Sequence, residues 1–599
     1  MASAWWDGRG VPWEYDPGPP RNRRLGRLFA ETPNYRGLGL AITGREAFRW
    51  HFGPMFYRGR LTDGAVKVLV VGQEGAQDES LAARSFVGGT GARMQHLLGH
   101  LGITRSYLFL NTFVYPIFGQ YTDRLRWLAQ DPASPIVQHR HRIFDEVLSR
   151  NELRLVIAVG TAARESVVSW VRAHGGSTAG PSEVEACDAS VLRRNVKLLG
   201  VLHPGGAAAG GATEIIADFK RAIAQVEAWT AADPGWLPSD PDGELGAAGS
   251  FLYRAAPIPF RDLPYGTSWR LGRGATSSNR ADEQRSIQLF GAGGRYNARG
   301  DDLQYRSIAP GSEDGYVAGD GEVAYEPPRR PWGGYDRGPP PAYARLLQGG
   351  VRGLEWPDPV ALGLPGDGSF GLGGGYRGRF GDVRVMVVAD QESHDDLFCG
   401  RAMCGDGGQH FQGVLDAMGV TSRYLILRTL PFDTLGVPWA TVRRAVDHPQ
   451  TLALHRELLV RIRATSPNLG ALLAVGPQAR RLVVALPTDP LPVVALRAWR
   501  ESGARSDWND ALARLRDLAL SAETPPTWTW DGRRRQIPRQ DLAYGSLHWR
   551  GTSGDRAVRA EQDGRPSPHY LKLFAPAWAF DLLPQPLSAA EQVAADLAP

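Results

Sequence analysis

Apolar residues come in short, dense runs at the most informative points of this chain. Residues 66–71 form one run, interrupted only by Lys67 and ending at Gly72. A helical stretch then leads to a second run, 107–110, which ends at Asn111. Two further runs lie near 154–159 and 196–202. Short apolar runs bounded by turn formers read as strands buried on both faces, and their alternation with helical patterns reads as a parallel sheet. The expected fold class is therefore α/β, a central, mainly parallel sheet flanked by helices. Polar residues gather where the runs end: Gln73, Glu74 and Asp78 after the first, Asn111 closing the second, His203 after the fourth. Open α/β sheets place their sites at the carboxyl ends of parallel strands.

The same pattern occurs twice. Residues 66–112 align with 383–429 without a gap, and 16 of the 47 positions are identical. Tyr15-Asp16 with Gly18-Pro19-Pro20 returns as Tyr335-Asp336 with Gly338-Pro339-Pro340, and Tyr57-Arg58-Gly59-Arg60 as Tyr376-Arg377-Gly378-Arg379. Ala158-Val159-Gly160 returns as Ala474-Val475-Gly476, and Asp262-Leu263 with Tyr265-Gly266 as Asp541-Leu542 with Tyr544-Gly545. Two occurrences make a duplicated domain rather than a solenoid. The Gly/Pro-rich stretch around 300–330 marks the seam, giving a first domain over 1–325 and a second over 326–599.

The copies differ chemically. Gln73, Glu74, Phe86 and Asn111 become Asp390, Gln391, Met403 and Arg428. The second copy is 37 residues shorter between its counterparts of Gly160 and Asp262, and its nearest match to the strand before His203, residues 492–499, has no His-Pro. The second copy is expected to keep the scaffold without the site.

These motifs resemble the uracil-DNA glycosylase superfamily. Gly72-Gln73-Glu74 is similar to its first motif, a Gly-Gln-Asp or Gly-Glu-Ala turn. Glu79 and Phe86-Val87-Gly88 fall where the iron–sulfur branch has its Glu and its Pro-Phe-Val-Gly. Leu108-Phe109-Leu110-Asn111-Thr112 is similar to the strand whose terminal Asn reads the pyrimidine edge, and Leu199-Gly200-Val201-Leu202-His203-Pro204 to the second motif. The resemblance covers roughly residues 60–225, with a weaker copy in the second half.

It implies two tandem glycosylase-like domains, the first acting on double-stranded DNA by flipping a nucleotide out of the stack and hydrolysing its N-glycosidic bond. Glu74 stands where the uracil-specific branch has its water-activating Asp, one methylene longer, with Asp78 as the alternative. Asp78 and Glu79 also suit helix caps. His203 becomes the donor that stabilises the departing base. Phe86 would stack on the flipped ring, Asn111 would read its edge, and Gln73 and Ala76 would line the pocket. Gly205 and Gly206 lie in a glycine/alanine loop suited to close approach of phosphates, without the bulky wedge that family members often place there. The uracil-specific branch has a Tyr against C5 of the base where this chain has Ala76, which leaves room for a C5 substituent such as that of glucosylated hydroxymethylcytosine in phage DNA. Repair of uracil or deaminated bases, and a non-catalytic reader of modified DNA, remain alternatives.

Composition adds limits. Three cysteines among 599 residues cannot supply the four thiolates of an iron–sulfur cluster, and no cofactor or metal is expected. His96 and His100 have helical i,i+4 spacing but no third ligand in the segment between them. The net charge of +5 argues weakly for a polyanionic partner. More suggestive are the arginine-rich segments 258–306 and 531–559, where Trp269, Arg270 and Arg273, and later His548, Trp549 and Arg550, interleave bases with aromatics; a structural cap explains them equally well. No apolar run approaches ~18 residues and no signal peptide is evident, so no membrane partner and a cytoplasmic location are expected.

Overall fold

The computed structural model describes the chain apart from residues 1–8, 21–23, 45–46, 49–53, 76–78, 80–81, 118–120, 122, 178–185, 194, 206–210, 268–303, 309–333, 365–374, 393–395, 397–398, 435–436, 536, 546–556, 563–564 and 575–599. Ala76, Asp78, Gly206, Arg270 and Arg273 lie outside the described residues, as does the 325/326 boundary.

The first copy is built on six strands: β1 (Arg58–Gly59), β2 (Val68–Gly72), β3 (Tyr107–Asn111), β4 (Leu155–Val159), β5 (Ala186–Asp188) and β6 (Lys197–Val201), in the order β1-β3-β2-β4-β6-β5. β3, β2, β4 and β6 are parallel, as their apolar runs suggest, while the edges β1 and β5 are antiparallel. The sheet is therefore mixed. Successive side chains of a strand point to opposite faces, so β2 sends Leu69 and Val71 into one core and Val68 and Val70 into the other. Both faces are covered by helices: α1 (Arg24–Ala30), α2 (Tyr35–Thr43), α3 (Gly89–His100), α4 (Asp123–Gln130), α5 (Pro135–Arg150), α6 (Thr161–Ala173) and α7 (Ala212–Ala232). None of the helices described is long and apolar enough to cross a membrane.

After β7 (Gln304–Ile308) the second copy repeats the plan with β8 (Tyr376–Gly378), β9 (Val385–Ala389), β10 (Tyr424–Arg428), β11 (Ala471–Val475) and β12 (Val493–Leu496), in the order β12-β11-β9-β10-β8. Its helices are α8 (Pro341–Leu347), α9 (Asp406–Ala417), α10 (Trp439–Val446), α11 (Pro449–Thr465), α12 (Pro477–Val484) and α13 (Ala504–Arg516). Among the described residues this sheet has no partner for β12 corresponding to β5, which is where the shorter segment falls. β12 is thus an edge strand, and its side chains alternate between exposed and buried. β13 (Ala557–Gln562) and β14 (Arg565–Phe574) pair with β7 as a separate three-stranded antiparallel sheet that the sequence pattern did not reveal.

The motifs repeated outside the two cores join the copies through a pseudo-twofold contact. In one half, Asp16 accepts from Tyr57 Oη (2.6 Å) and Arg84 Nε (2.7 Å), and Arg84 Nη1 donates to the Tyr544 carbonyl (2.9 Å). In the other, Asp336 accepts from Tyr376 Oη (2.5 Å) and Arg401 Nε (2.7 Å), and Arg401 Nη1 donates to the Tyr265 carbonyl (2.7 Å). Tyr15 Oη donates to the Pro339 carbonyl, and Tyr335 Oη to that of Pro19. Gly18 and Gly338 make this approach possible. Both have positive φ (+79° and +95°), and a Cβ on either would press on Tyr544 or Tyr15 of the other copy.

Candidate active site

Parallel register brings the strand ends to one rim. Gly72 pairs with Asn111, Val71 with Ala158, and Val159 with Val201. The chain leaves β2 and β3 together, with Thr112 N–H on the Gly72 carbonyl (2.7 Å) and Phe113 N–H on that of Gln73 (2.9 Å).

Three sequence-predicted residues meet over the end of β2. A Cβ on Gly72 would collide with the Phe86 ring and lie 2.8 Å from Asn111 Oδ1. Only glycine leaves room for both side chains. Asn111 is 5% exposed, and its Nδ2 is oriented toward Ser85 Oγ at 3.4 Å. Phe86 is 6% exposed, packs on Phe109 at 4.9 Å between centroids, and belongs to the core on that face of the sheet.

The loop that presents Phe86 is held in an unusual shape. Phe86 has φ +54°, in the left-handed region that non-glycine residues rarely adopt. Glu79 Oε1 accepts from the Val87 and Gly88 N–H groups (2.9 and 2.8 Å), and Ser85 is tied to the Met55 and Tyr57 carbonyls. Glu79 is thus a buried loop clamp. Gly91 passes so close to the Phe86 carbonyl that no side chain would fit.

Glu74 is half-buried at the start of the turn after β2. The next residue, Gly75, is wedged between Met55 and Glu79. His203 follows β6 and is flanked by two glycines: a Cβ on Gly160 would lie 3.1 Å from His203 Cβ, and one on Gly205 2.9 Å from its Nδ1. Gly160 has φ +82°. The Gly205 N–H donates to His203 Nδ1 at 3.0 Å, so the neutral ring carries its proton on Nε2. The residue is exposed to solvent, and partial desolvation of the ring by the surrounding turn lowers its pKa from the ordinary imidazole value. A Cβ on Gly205 would be 3.8 Å from Thr90 Oγ1. The His203 turn therefore reaches the first turn of α3, just past Phe86. β6 is two strands from β2, a lateral separation of roughly 10 Å.

The second copy has the same backbone with its rim filled. Met403 repeats the positive φ of Phe86 at +51°. Arg428, in place of Asn111, is 3% exposed, donates to the Phe432 carbonyl (2.9 Å) and faces Asp396 at 4.0 Å. Gln391, in place of Glu74, turns to Thr434 and accepts from its N–H and hydroxyl (2.7 and 3.0 Å). Ala498 stands at the position of His203. The equivalence follows from Gly476 N–H on the Leu496 carbonyl and Arg497 N–H on Asp507, which match Gly160 on Val201 and Leu202 on Asp218.

Sequence reasoning missed Asp390, the counterpart of Gln73. Its carboxylate accepts from Thr429 Oγ1 (2.7 Å) and from the Gln478 and Ala479 N–H groups (2.8 Å each) at the start of α12. Burial outweighs these donors and raises its pKa to about 6. The Gln-to-Asp change between the copies was the available signal. His96 and His100 each bond to a main-chain carbonyl, of Leu252 and Ala247.

No protein-family model matches the chain, and no curated protein matches it either.

Proposed function

We propose that the first copy is a monofunctional DNA glycosylase of the uracil-DNA glycosylase type, and that the second is a non-catalytic scaffold assisting DNA binding. The observation that carries this reading is the meeting of Gly72, Phe86 and Asn111 on the rim that also bears Glu74 and His203. The nucleotide is extruded because its C1′ carbon is unreachable in the stack. The C1′–N1 bond then breaks, its electron pair leaving with the base. Glu74 stabilises the oxocarbenium-like sugar and orients the water that attacks C1′, as carboxylates do in glycoside hydrolysis. His203 Nε2–H donates to the base O2 as negative charge gathers there, and Gly205 favours the tautomer this requires. The Asn111 amide offers one donor and one acceptor to a pyrimidine edge.

The second copy supplies a further argument. Its Asp390 carboxylate occupies the amides that open α12. The corresponding amides of the first copy, at Ala162 and Ala163, open α6 beneath an N-cap without a side-chain bond, with Gln73 in place of the carboxylate. Ala162 and Ala163 are themselves fully buried, so this helix start acts on the rim through its dipole, favouring negative charge there, rather than by direct contact with a phosphate.

For the base, we propose a C5-modified cytosine such as glucosylated hydroxymethylcytosine of phage DNA, which makes the activity antiviral. This rests on Ala76 as a residue type. Duplexes carrying single modified bases, incubated with the protein and then treated with alkali, test the proposal: strand scission at the modified site supports it, and tight binding without scission makes the protein a reader instead.

A further inference from the structure

At the opposite end of the sheet, where the parallel strands begin, the first copy holds a cleft of about 330 Å³. Four guanidinium groups line it, from Arg24, Arg27, Arg60 and Arg150, against two carboxylates, Asp63 and Glu146. Glu146 is shared by Arg24 (3.5 Å) and Arg150 (3.2 Å). Arg60 pairs with Asp262, which also holds Arg58 at 2.7 Å, and Arg60 Nε is buried without a hydrogen-bond partner among the described residues. Positive charge is therefore in excess. The rest of the wall is Asn151 and the apolar Pro20, Leu25, Leu61, Leu108 and Val147.

The second copy shows what this fold does when the space is not needed. The buried and exposed positions of α1 and α8 match when Leu25 is set against Tyr343. Leu61 corresponds to Phe380, and the Tyr343 and Phe380 rings pack 4.5 Å apart inside the second core. Asn151 and Ser466 both accept from the strand-leading amides of Val66 and Val383, which sets Arg150 against Thr465. One copy closes the region with aromatic packing; the other keeps it open and adds Arg24 and Arg150 to the two arginines that both copies share, Arg27 and Arg60 here and Arg345 and Arg379 there.

We propose that this cleft binds a phosphate-bearing small molecule of nucleotide size. Guanidinium forks match phosphate oxygens in pairs, the volume lies within the range of small-ligand pockets, and Pro20 with the edges of Leu25 and Leu61 offers a small apolar surface to a nucleoside. The inference stands apart from the glycosylase reading, since the cleft lies at the far end of the strands from Asn111 and His203.

Calorimetric titration of the full chain with ADP, inorganic pyrophosphate and adenosine tests it. ADP should bind, pyrophosphate should bind no more tightly, and adenosine should bind at least ~10-fold more weakly than ADP, a difference of about 1.4 kcal/mol. Pyrophosphate binding as tightly as ADP would also support a phosphate site, with the ligand held by its phosphates alone. Arg27→Ala with Arg150→Thr should weaken ADP at least ~10-fold. Leu25→Tyr with Leu61→Phe should block it by filling the cleft while every charge remains. No binding of ADP or pyrophosphate, equal binding of adenosine and ADP, or ADP binding that survives both double variants in folded protein would overturn the proposal.

Discussion

Arg84 of the first copy donates to the Tyr544 carbonyl of the second at 2.9 Å, and Arg401 returns the contact to Tyr265 at 2.7 Å. Arg84 lies two residues before Phe86, so the loop that presents Phe86 is anchored on the other copy. The second copy thereby has a structural role in shaping the first.

Arg84→Ala should be among the most damaging single changes in the chain. It leaves Asp16 without its buried cation, a loss of about 3–5 kcal/mol. Urea denaturation measures it, and a change below ~1 kcal/mol would show that the inter-copy contact adds little.

Gly72→Ala tests the crowding over β2. The added methyl would meet the Phe86 ring and Asn111 Oδ1, so base release should fall at least ~100-fold, the scale of a misplaced reactive geometry. The second copy already has Ala389 at this position beside Met403, and Ala389→Gly should leave base release unchanged. Near-normal activity of Gly72→Ala would remove Phe86 from the pocket.

Much of this arrangement was legible because fully buried parallel strands announce themselves as apolar runs. The strands expected at 66–71, 107–111, 154–159 and 196–202 are β2, β3, β4 and β6 to within two residues. The short edges β1 and β5, of two and three residues, bury too little to leave a pattern. Asn111 and His203 could be singled out because each lies at or just past the end of such a run. The role of Asp390 could not, since the amides it binds lie 88 and 89 residues further along the chain. Tyr-Asp and Asp-Leu-x-Tyr-Gly were visible as repeats, but their pairing across the copies depends on tertiary proximity alone.

Stability of the second copy should respond to pH through Asp390. Its folded pKa, about 6, is raised above the ordinary carboxylate value of 3.8. The favourable contribution is therefore present below pH 3.8 and is lost as pH rises through 6. Asp390→Asn removes this dependence. Relative to the parent, the variant should gain stability between pH 4 and pH 7 by up to about 3 kcal/mol. Parallel melting curves of the two proteins over that interval would contradict the raised pKa.

Activity should belong to one copy. Glu74→Gln and His203→Ala should each slow base release ~100-fold or more, while Gln391→Ala, at the position equivalent to Glu74, should do little. An equal loss from the Gln391 change would move the site to the second copy. On the substrate side, Ala76→Tyr should block a bulky C5-modified base while sparing uracil.

The most direct measurement compares two duplexes that differ at one base, glucosylated hydroxymethylcytosine in one and uracil in the other. Alkali-labile sites are counted over time for the parent protein and for His203→Ala. The account predicts rapid scission at the modified cytosine, a far lower rate at uracil, and a loss of at least ~100-fold in the variant. Fast release of uracil with none of the modified base would contradict the substrate. Abasic sites formed as quickly by His203→Ala as by the parent would contradict the site itself.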